Sequence, residues 1–355
     1  MSVEFQLKED DVVFVPGRAT LLGEHQDYLG LPVVPTPINA GLSFTITPSE
    51  RKGIIIDSYY FGLSPVFDSK EKLELKNDSW DLARAVLKIY LSRFEDYLLE
   101  DKFIIEVNGT LPPSSGLSSS AAFSVGLLKV LLKMREIDIP PAALAELAYE
   151  AEHDILGVPC GKMDQYSVAF ADTLVMNFEP FFDVEQLGMT FPIIPVYSGK
   201  PKNTQQVHGP LQEKLKKTLN MIFGNDDFKV LHTITEEEVE EFKYHELKDM
   251  EDEWRLLKGY VGIRDTTKEG IEIIRQTPWE LKKIGDLMTK QHIFLSDFLK
   301  VSTPELDKIV WLGLEEGALG GKLTGSGKGG SAILLTTEEM KNKVRTAIEK
   351  EFKVI

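Results

Sequence analysis

The sequence predicts an α+β fold made of two domains. Segments of strand character and segments of helical periodicity are mixed along the chain rather than strictly alternating, which is typical of this class. With 355 residues the chain is long enough for two cores, because one domain usually takes roughly 100 to 200 residues. We expect the division near residue 180, giving domains 1–180 and 181–355.

Strands are expected to dominate the first hundred residues. The run "DVVFVPG" predicts a short buried strand stopped by Pro16 and Gly17, and "LSFTITPS" and "FIIEVNG" predict two more strands that end in turn residues. One helix interrupts them at "DSWDLARAVLKIYLSRF". Further along, "TLVMNF" and "FPIIPVYSG" return to strand.

Two helices are predicted within "SSSAAFSVGLLKVLLKMREIDIPPAALAELAYEAEHDILG". Serine side chains should cap the first helix, and Pro140 and Pro141 should open the second. The second helix leaves Glu152 on the flank of an apolar face that is formed by Leu144, Leu147, Ala148, Ala151 and Ile155.

The last third of the chain is predicted to be helical and then to return to strand. Residues 210–300 are highly charged, and "TEEEVEEF" is interpreted as a solvated helix face rather than a site. A final strand, turn and helix are expected within "GGKLTGSGKGGSAILLTTEEMKNKVRTAIEK".

Composition and charge narrow the class of function. There are 40 Lys plus Arg against 56 Asp plus Glu, a formal charge of -16, which disfavours nucleic acid and anionic membranes as partners. An anionic ligand would therefore need cations gathered locally. The single cysteine, Cys160, excludes an intrachain disulfide framework and fits a reducing cytoplasm. No secretory signal or membrane-spanning run is present, so we expect a cytoplasmic protein. We also expect it to be a monomer.

The first glycine and serine cluster is "LPPSSGLSSSAAF", which leads directly into an apolar helix. A helix N-terminus presents free N–H groups and partial positive charge, so small residues there let an anion approach, and serine hydroxyls add donors and a ligand for Mg²⁺. The alternative is a helix cap supplied with more serines than it needs.

The second cluster, "GALGGKLTGSGKGGSAILL", places many glycines before an apolar strand and suggests close approach of the backbone to a ligand. It is not a Walker loop, because Gly329 follows Lys328 and Lys322 stands where the first glycine of that motif belongs.

The third constellation is "AEHDILGVPCGKMDQYSVAF". Two carboxylates, Glu152 and Asp164, separated by a tight turn can hold a metal ion and a reacting hydroxyl near each other. The alternative is a helix end with Gly157 and Pro159 behind it, which does not account for both acids. His153 is interpreted as a packing or hydrogen-bonding residue, since no second His or Cys stands at ligand spacing.

Together, "PGRATLLGEHQDYLG", "LPPSSGLSSSAAF" and "GKLTGSGKGG" resemble, in order and spacing, the three motifs of the GHMP small-molecule kinases. Within that superfamily, "GEHQDY" and "AEHDILGVPCGKMDQ" resemble the galactokinase versions. The resemblance spans residues 12 to about 335. It implies an N-terminal domain like the second domain of ribosomal protein S5, a ferredoxin-like C-terminal domain, and ATP and sugar meeting in the cleft between them.

The resemblance also implies roles for individual residues. Asp164 would orient the sugar hydroxyl and accept its proton, and Arg18 would stabilise phosphoryl charge. The sugar-binding positions are Glu24, His25, Asp27, Gly161 and Asp164. The positions that match the phosphate loops are Pro113, Ser114, Ser115, Gly116, Leu117, Ser118, Ser119, Ser120, Gly325 and Gly327. Ser119 and Glu152 match the Mg²⁺ ligands. The implied reaction transfers the γ-phosphate of ATP to the C1 hydroxyl of galactose.

Two departures bear on the substrate. The family carries a tyrosine in the C-terminal domain that reaches a ring hydroxyl, whereas "YSGKPKNTQQVHGPLQE" has none after Gly199, so His208 or another residue replaces it, or the sugar differs. Lys328 stands where galactokinases usually have Phe, and it either adds charge near phosphates or faces solvent. N-acetylgalactosamine, arabinose and mevalonate therefore stay open as alternative substrates, as does a catalytically silent sugar and ATP sensor.

Overall fold

The fold is described from a computed structural model that covers residues 12–94, 98–202, 204–276 and 280–355. Its strands are β1 Val13–Leu22, β2 Val34–Pro48, β3 Gly53–Ser58, β4 Gly62–Leu63, β5 Lys102–Gly109, β6 Leu174–Asn177, β7 Asp183–Gln186, β8 Ile193–Tyr197, β9 Gly320–Thr324, β10 Ser331–Leu335 and β11 Lys353–Val354. Its α-helices are α1 Asp81–Phe94, α2 Ser119–Met134, α3 Pro141–Glu150, α4 Met163–Phe170, α5 Thr204–Phe223, α6 Glu236–Phe242, α7 Glu251–Arg275, α8 Leu281–Ile293, α9 Pro304–Glu315 and α10 Glu338–Ile348. No helix in these ranges is long and apolar enough to cross a membrane.

The described residues group into two compact units. One contains residues 12–17, 39–113 and 118–171, and the other contains 18–38, 114–117 and 172–355. The chain passes from one unit to the other several times. The division into domains 1–180 and 181–355 stays a prediction.

The first unit combines a sheet with four helices. The strand order is β1-β2-β5-β3-β4, in which β5 runs antiparallel to β2 and parallel to β3. Helix α2 packs against α1, α3 and α4. The ring of Phe44 in β2 packs directly on Gly126 of α2. A Cβ built at Gly126 would lie 2.0 Å from that ring. This close contact gives the unit a fully buried core between sheet and helix.

Strand β1 is longer than the sequence predicts. The predicted stop at Pro16 and Gly17 is wrong, since β1 continues through both residues to Leu22. β1 is an edge strand of its sheet. Pro16 lacks an N–H, and a proline is tolerated on an edge strand because no neighbouring strand needs that donor. The extension carries Arg18 and Thr20 within a regular strand.

The second unit contains an antiparallel sheet with the order β11-β8-β10-β9. Numbered by their sequence within this sheet, the strands follow the order 4-1-3-2 of a ferredoxin-like arrangement, which confirms that expectation. Helices α8 and α9 pack on β9. The core contains, among others, Leu257, Tyr260, Leu295, Val310, Leu323 and Leu334. The predicted helical character of residues 210–300 is confirmed, and "TEEEVEEF" forms α6 after a capping box at Thr235 and Glu238.

Helix α8 and strand β9 touch through their backbones. A Cβ built at Gly320 would lie 1.9 Å from the carbonyl oxygen of Gly285, and one built at Gly285 would lie 2.4 Å from the carbonyl oxygen of Leu319. Neither neighbour is a flexible side chain that could move aside. The glycine pair therefore sets the distance between this helix and the strand that carries Lys322 and Thr324.

We expect Gly320→Ala to lower the free energy of unfolding by about 1–3 kcal/mol, because the added methyl group forces the backbones of α8 and β9 apart. Chemical denaturation followed by circular dichroism measures the change. Asn220→Ala on α5 is the control: Asn220 is exposed on this helix, and alanine has the higher helix propensity, so stability should be unchanged or raised by up to about 0.7 kcal/mol. Equal stability of the two variants would contradict the direct contact.

Candidate active site

The stretch "GEHQDY" forms a tight turn directly after β1. Gly23 has a φ of +86°, and a Cβ built there would lie 2.6 Å from the carbonyl oxygen of Pro32. His25 has a φ of 63°, and the turn runs into a short 3₁₀ helix over Asp27–Leu29. Glu24 and His25 are each 2% exposed. The turn therefore buries polar side chains in a backbone conformation that is typical of functional sites.

Glu24 is held by a buried cation. The Lys322 Nζ lies 3.1 Å from Glu24 Oε2 and also donates to the carbonyl oxygen of Thr20 at 2.8 Å. The side chains of Lys322 and Glu24 are 0% and 3% exposed. Burial lowers the pKa of Lys322, while the Glu24 carboxylate opposes that shift. Sequence reasoning gave Lys322 no such role, because the partners lie 298 positions apart.

His25 belongs to a chain of hydrogen bonds with a defined direction. Its Nε2 lies 3.1 Å from the carbonyl oxygen of Ser326, which can only accept, so Nε2 carries the proton. Nδ1 then accepts from the Tyr28 hydroxyl at 2.9 Å, and the Tyr28 oxygen accepts from the Tyr260 hydroxyl at 3.1 Å. Burial lowers the pKa of His25 to about 4, so the imidazole is neutral near pH 7. The tautomer of His25 is thus set by its partners.

His208 joins this group from helix α5. Its ring centroid lies 4.9 Å from that of His25 and 5.0 Å from that of Tyr28. Burial is the largest cause that lowers the pKa of His208 to about 2, and the charges of Lys202 and Arg18 add to it. The His208 Nδ1 is buried and has no hydrogen-bond partner among the described residues. A neutral imidazole with an unpaired nitrogen is suited to bind a hydroxyl group.

The two glycine-rich clusters meet in the second unit. The Arg18 Nη1 donates to the carbonyl oxygen of Gly116 at 3.2 Å and to Thr324 Oγ1 at 3.4 Å. A Cβ built at Gly116 would lie 2.6 Å from the carbonyl oxygen of Thr324, and one built at Gly325 would lie 2.9 Å from the Cα of Gly116. Only residues without side chains allow the loops to come this close.

Positive charge and unpaired hydroxyl groups accompany these loops. The backbone N–H of Lys202 donates to the carbonyl oxygen of Ser114 at 3.0 Å. Its ammonium group is near enough to Gly325 that a Cβ built there would lie 3.0 Å from Nζ. The hydroxyl groups of Ser115 and Ser326 are buried without a partner among the described residues. Lys202, which sequence reasoning missed, is thus a cation at a loop that is suited to bind an anion.

The predicted serine cap of α2 is wrong. Ser118 occupies the N-cap position in the left-handed region, with a φ of 59°, and makes no side-chain bond to the helix. Its hydroxyl is buried without a partner in the described structure, whereas Ser119 is half-buried and Ser120 is exposed. The N-terminal N–H groups of α2 therefore lack a serine cap, which favours the anion-binding interpretation over the capping one.

The two predicted carboxylates lie in the first unit. Glu152 sits in a π-helical turn, Ala151–Ile155, that follows α3, and it is 6% exposed. Its Oε1 accepts from Gln165 at 3.1 Å and from Ser124 at 3.4 Å. Burial raises the pKa of Glu152 to about 7, and the Asp164 charge contributes to the rise. Asp164 is half-buried in the first turn of α4.

A single carboxylate beside serine hydroxyls fits Mg²⁺, which usually takes one or two carboxylates and completes its shell with water and substrate phosphates. Among the residues that the structure describes, no group of three His, Cys, Asp or Glu side chains could hold a metal ion by itself. His153 is confirmed as a hydrogen-bonding residue, since its Nδ1 lies 2.7 Å from Asp154 and its ring stacks on Tyr149.

Each unit gathers its own part of the predicted site. The second unit contains Arg18, Glu24, His25, Asp27, Ser114, Ser115, Gly116, Leu117, Gly325 and Gly327. The first contains Pro113, Ser118, Ser119, Ser120, Glu152, Gly161 and Asp164. Lys328 is exposed, with a φ of 53°, and its N–H donates to the carbonyl oxygen of Val301 at 2.6 Å.

Fold and motifs together define a small-molecule kinase of the GHMP type. Sequence profiles of the "GHMP kinases N terminal domain" and the "GHMP kinases C terminal" match residues 81–172 and 279–354. A third profile, the "Galactokinase galactose-binding signature", matches residues 3–48.

Individual relatives show which family of GHMP kinases the chain belongs to. The chain is 30% identical over 352 residues to the galactokinase of Pyrococcus furiosus, covering 95% of this chain and 92% of the relative. It is 32% identical over 332 residues to the galactokinase of Thermococcus kodakarensis, covering 91% and 88%. The chain belongs to the galactokinase family. It is accordingly a phosphotransferase with an alcohol group as acceptor and ATP as phosphate donor.

Solved structures support the fold. The Lactococcus lactis galactokinase complexed with galactose matches with a TM-score of 0.78 and 23% identity, covering 97% of this chain and 93% of that one. The Methanococcus jannaschii mevalonate kinase matches with a TM-score of 0.72 and 21% identity, covering 97% and 96%. Both confirm the predicted GHMP kinase fold.

The buried histidines predict a pH dependence of stability. In the unfolded chain a histidine takes up a proton near pH 6.5, whereas folded His25 stays neutral until about pH 4 and His208 until about pH 2. The unfolded state therefore binds more protons below pH 6.5, and the free energy of unfolding falls as the pH is lowered from 6.5 towards 4. His208→Asn should reduce the slope of unfolding free energy against pH by about 1.4 kcal/mol per pH unit. Denaturation curves recorded at several pH values measure this slope. Parallel curves for the variant and the parent protein would contradict burial of a neutral His208.

Proposed function

We propose that this protein transfers the γ-phosphate of ATP to the C1 hydroxyl of galactose, which yields galactose 1-phosphate. The observation that carries the proposal is the buried turn after β1, in which Glu24 and His25 are fixed by partners from β9 and the loop after it. Polar groups fixed in this way reject a ligand that lacks matching hydroxyls, because those groups would then stay buried and unpaired. Relatives named galactokinase support the choice of sugar.

The sugar contacts come from several residues. Glu24 offers a carboxylate to a hydroxyl donor, and Asp27 offers a second. Gly161 contributes backbone contact beside the anomeric carbon. His208 takes the place of the tyrosine that the family would supply. Its position beside His25 and its unpaired Nδ1 support this assignment.

Phosphate binding is assigned to the glycine and serine loops. Pro113 opens the loop, residues 114–120 together with Gly325 and Gly327 would present backbone N–H groups, and Arg18 supplies positive charge. Ser119 and Glu152 would hold Mg²⁺, which when bound neutralises phosphate charge. The raised pKa of Glu152 is consistent with a group that awaits a cation.

Asp164 acts on the acceptor hydroxyl. We assign it the roles of orienting the C1 hydroxyl and accepting its proton late in the transfer. A weak base suffices for this step, because the transition state of phosphoryl transfer is loose in most analyses and positioning carries most of the rate. Arg18 stabilises the charge that develops on the phosphoryl group. The single cysteine supports activity in a reducing cytoplasm, and we propose that the protein works as a monomer.

A coupled ADP-release assay over galactose, N-acetylgalactosamine, arabinose, glucose and mevalonate tests the substrate. We expect galactose to have the highest kcat/KM. Another sugar in first place would contradict galactose as the preferred substrate, and mevalonate turnover alone would refute a sugar kinase. No turnover with any compound would favour a silent sensor of sugar and ATP.

We expect Asp164→Asn to lower kcat for galactose about 10²- to 10⁴-fold with little change in ATP affinity, because the variant keeps the shape but loses the proton acceptor. Steady-state kinetics and ATP titration measure both quantities. Near-normal turnover would remove Asp164 from the mechanism.

Asp27→Ala should weaken galactose binding or lower turnover while leaving the thermal unfolding midpoint within a few degrees of the parent value. Asp27 is half-buried at the start of the 3₁₀ turn, and it is not among the residues of the apolar core to which Leu29 of the same turn belongs. Galactose titration and thermal denaturation of the same sample distinguish the two effects. A variant that unfolds at ordinary temperature would assign Asp27 to stability rather than to specificity.

A further inference from the structure

The orientation of Asp164 depends on helix α4, which is short and lacks a side-chain cap at its N-terminus. Helix α4 contains 8 residues, and its N-cap residue Lys162 makes no side-chain capping bond. The preceding segment, residues 156–162, is irregular and contains two glycines and a proline. Helices this short are marginal on their own, so tertiary contacts must hold the first turn of α4 in place.

Glu146 of helix α3 supplies such contacts on both sides of Asp164. Its Oε1 accepts from the Lys162 Nζ at 2.6 Å and from the Tyr166 hydroxyl at 2.5 Å. These donors stand two residues before and two residues after Asp164. One carboxylate oxygen therefore holds the start of α4 at two points that bracket the proposed catalytic residue.

Both donors are themselves constrained. The Lys162 ammonium lies 5.2 Å from the ring centroid of Tyr149, which is three residues after Glu146 on the same helix. Tyr166 is 4% exposed, and burial raises its pKa, as does the hydrogen bond to Glu146, so it remains a donor at neutral pH. The link from α3 to α4 thus consists of a charge-assisted bond and a buried phenol.

A third contact holds the first turn of α4 from the π-helical turn that follows α3. Gln165 donates to Glu152 at 3.1 Å, so the residue directly after Asp164 is tied to the proposed metal ligand. Glu146 has no assigned part in binding sugar, nucleotide or metal. It can therefore be changed without removing a group to which the proposed function gives a chemical role.

We propose that Glu146 is a positioning residue that sets the orientation of Asp164 through Lys162 and Tyr166. The proposal rests on the catalytic role assigned to Asp164 above. A displacement of a reacting group by about 1 Å can cost roughly 10²-fold in rate. Loss of the Glu146 carboxylate should thus act on kcat far more than on substrate affinity.

The test compares Glu146→Ala with Glu150→Ala, a matched control one turn further along α3. Glu150 also forms an ion pair, with the Arg93 Nη2 at 2.6 Å, and its side chain is 27% exposed against 35% for Glu146. Arg93, its ion-pair partner, lies on α1 rather than α4. We expect Glu146→Ala to lower kcat about 10- to 100-fold with little change in the KM for ATP, and Glu150→Ala to leave kcat within about twofold.

Two further variants keep the test usable if Glu146→Ala folds poorly. Glu146→Gln retains an oxygen acceptor for Tyr166 but loses the charge that attracts Lys162, so its kcat should be intermediate. Tyr166→Phe removes one of the two bonds and should lower kcat by about 3- to 10-fold. Thermal unfolding midpoints of all variants show whether the kinetic effect exceeds a general loss of stability.

A double variant decides whether Glu146 acts through Asp164. If it does, Asp164→Asn combined with Glu146→Ala should be no slower than Asp164→Asn alone. Effects that multiply, or equal kcat values for Glu146→Ala and Glu150→Ala, would overturn the proposal while leaving the kinase function intact. Normal turnover of Asp164→Asn alone would instead refute the mechanism on which the proposal rests.

Discussion

The buried ion pair between Glu24 and Lys322 is the interaction on which the second unit's part of the site depends. It joins the turn after β1 to strand β9, and both side chains are almost fully buried. Losing one partner of such a pair costs about 3–5 kcal/mol, because the other charge stays buried and uncompensated. An acidic side chain is therefore required at position 24 in the turn after β1. The ion pair also fixes the Glu24 carboxylate at a position where it can bind a ligand.

Around this pair, the polar groups form an ordered and uncharged network. The accepting carbonyl of Ser326 sets the tautomer of His25. Tyr260 then donates to Tyr28, and Tyr28 donates to His25. A network with a fixed direction offers a ligand donors and acceptors at defined positions. This property suits recognition of a hydroxyl-rich ligand better than recognition of an apolar one.

Charge is distributed unevenly in this acidic protein. Against a formal charge of -16, Arg18 and Lys202 lie at the glycine loops and Lys322 lies beneath the turn. Local cations of this kind can attract a polyanionic nucleotide that the overall charge would repel. Their effect reaches neighbouring residues as well, since the charges of Lys202 and Lys322 help to keep His25 neutral.

Sequence alone was sufficient for properties that depend on local order along the chain. The three motifs identified the family, and the helical spacing of Leu144, Leu147 and Ala148 predicted helix α3, which the structure confirms. The prediction that residues 210–300 are mostly helical is confirmed as well. Local rules failed where tertiary context outweighs them: Pro16 was expected to end β1 but lies in an edge strand, and Ser118 was expected to cap α2 but adopts a left-handed conformation.

Only the tertiary structure decided which distant residues become partners. No local sequence pattern predicts these pairs. They are Lys322 with Glu24, Tyr260 with Tyr28, and Lys162 and Tyr166 with Glu146. The physical reason is that burial and hydrogen-bond pairing depend on how elements pack in three dimensions. A motif in the sequence therefore indicates what chemistry is present, whereas packing determines which group holds it in position.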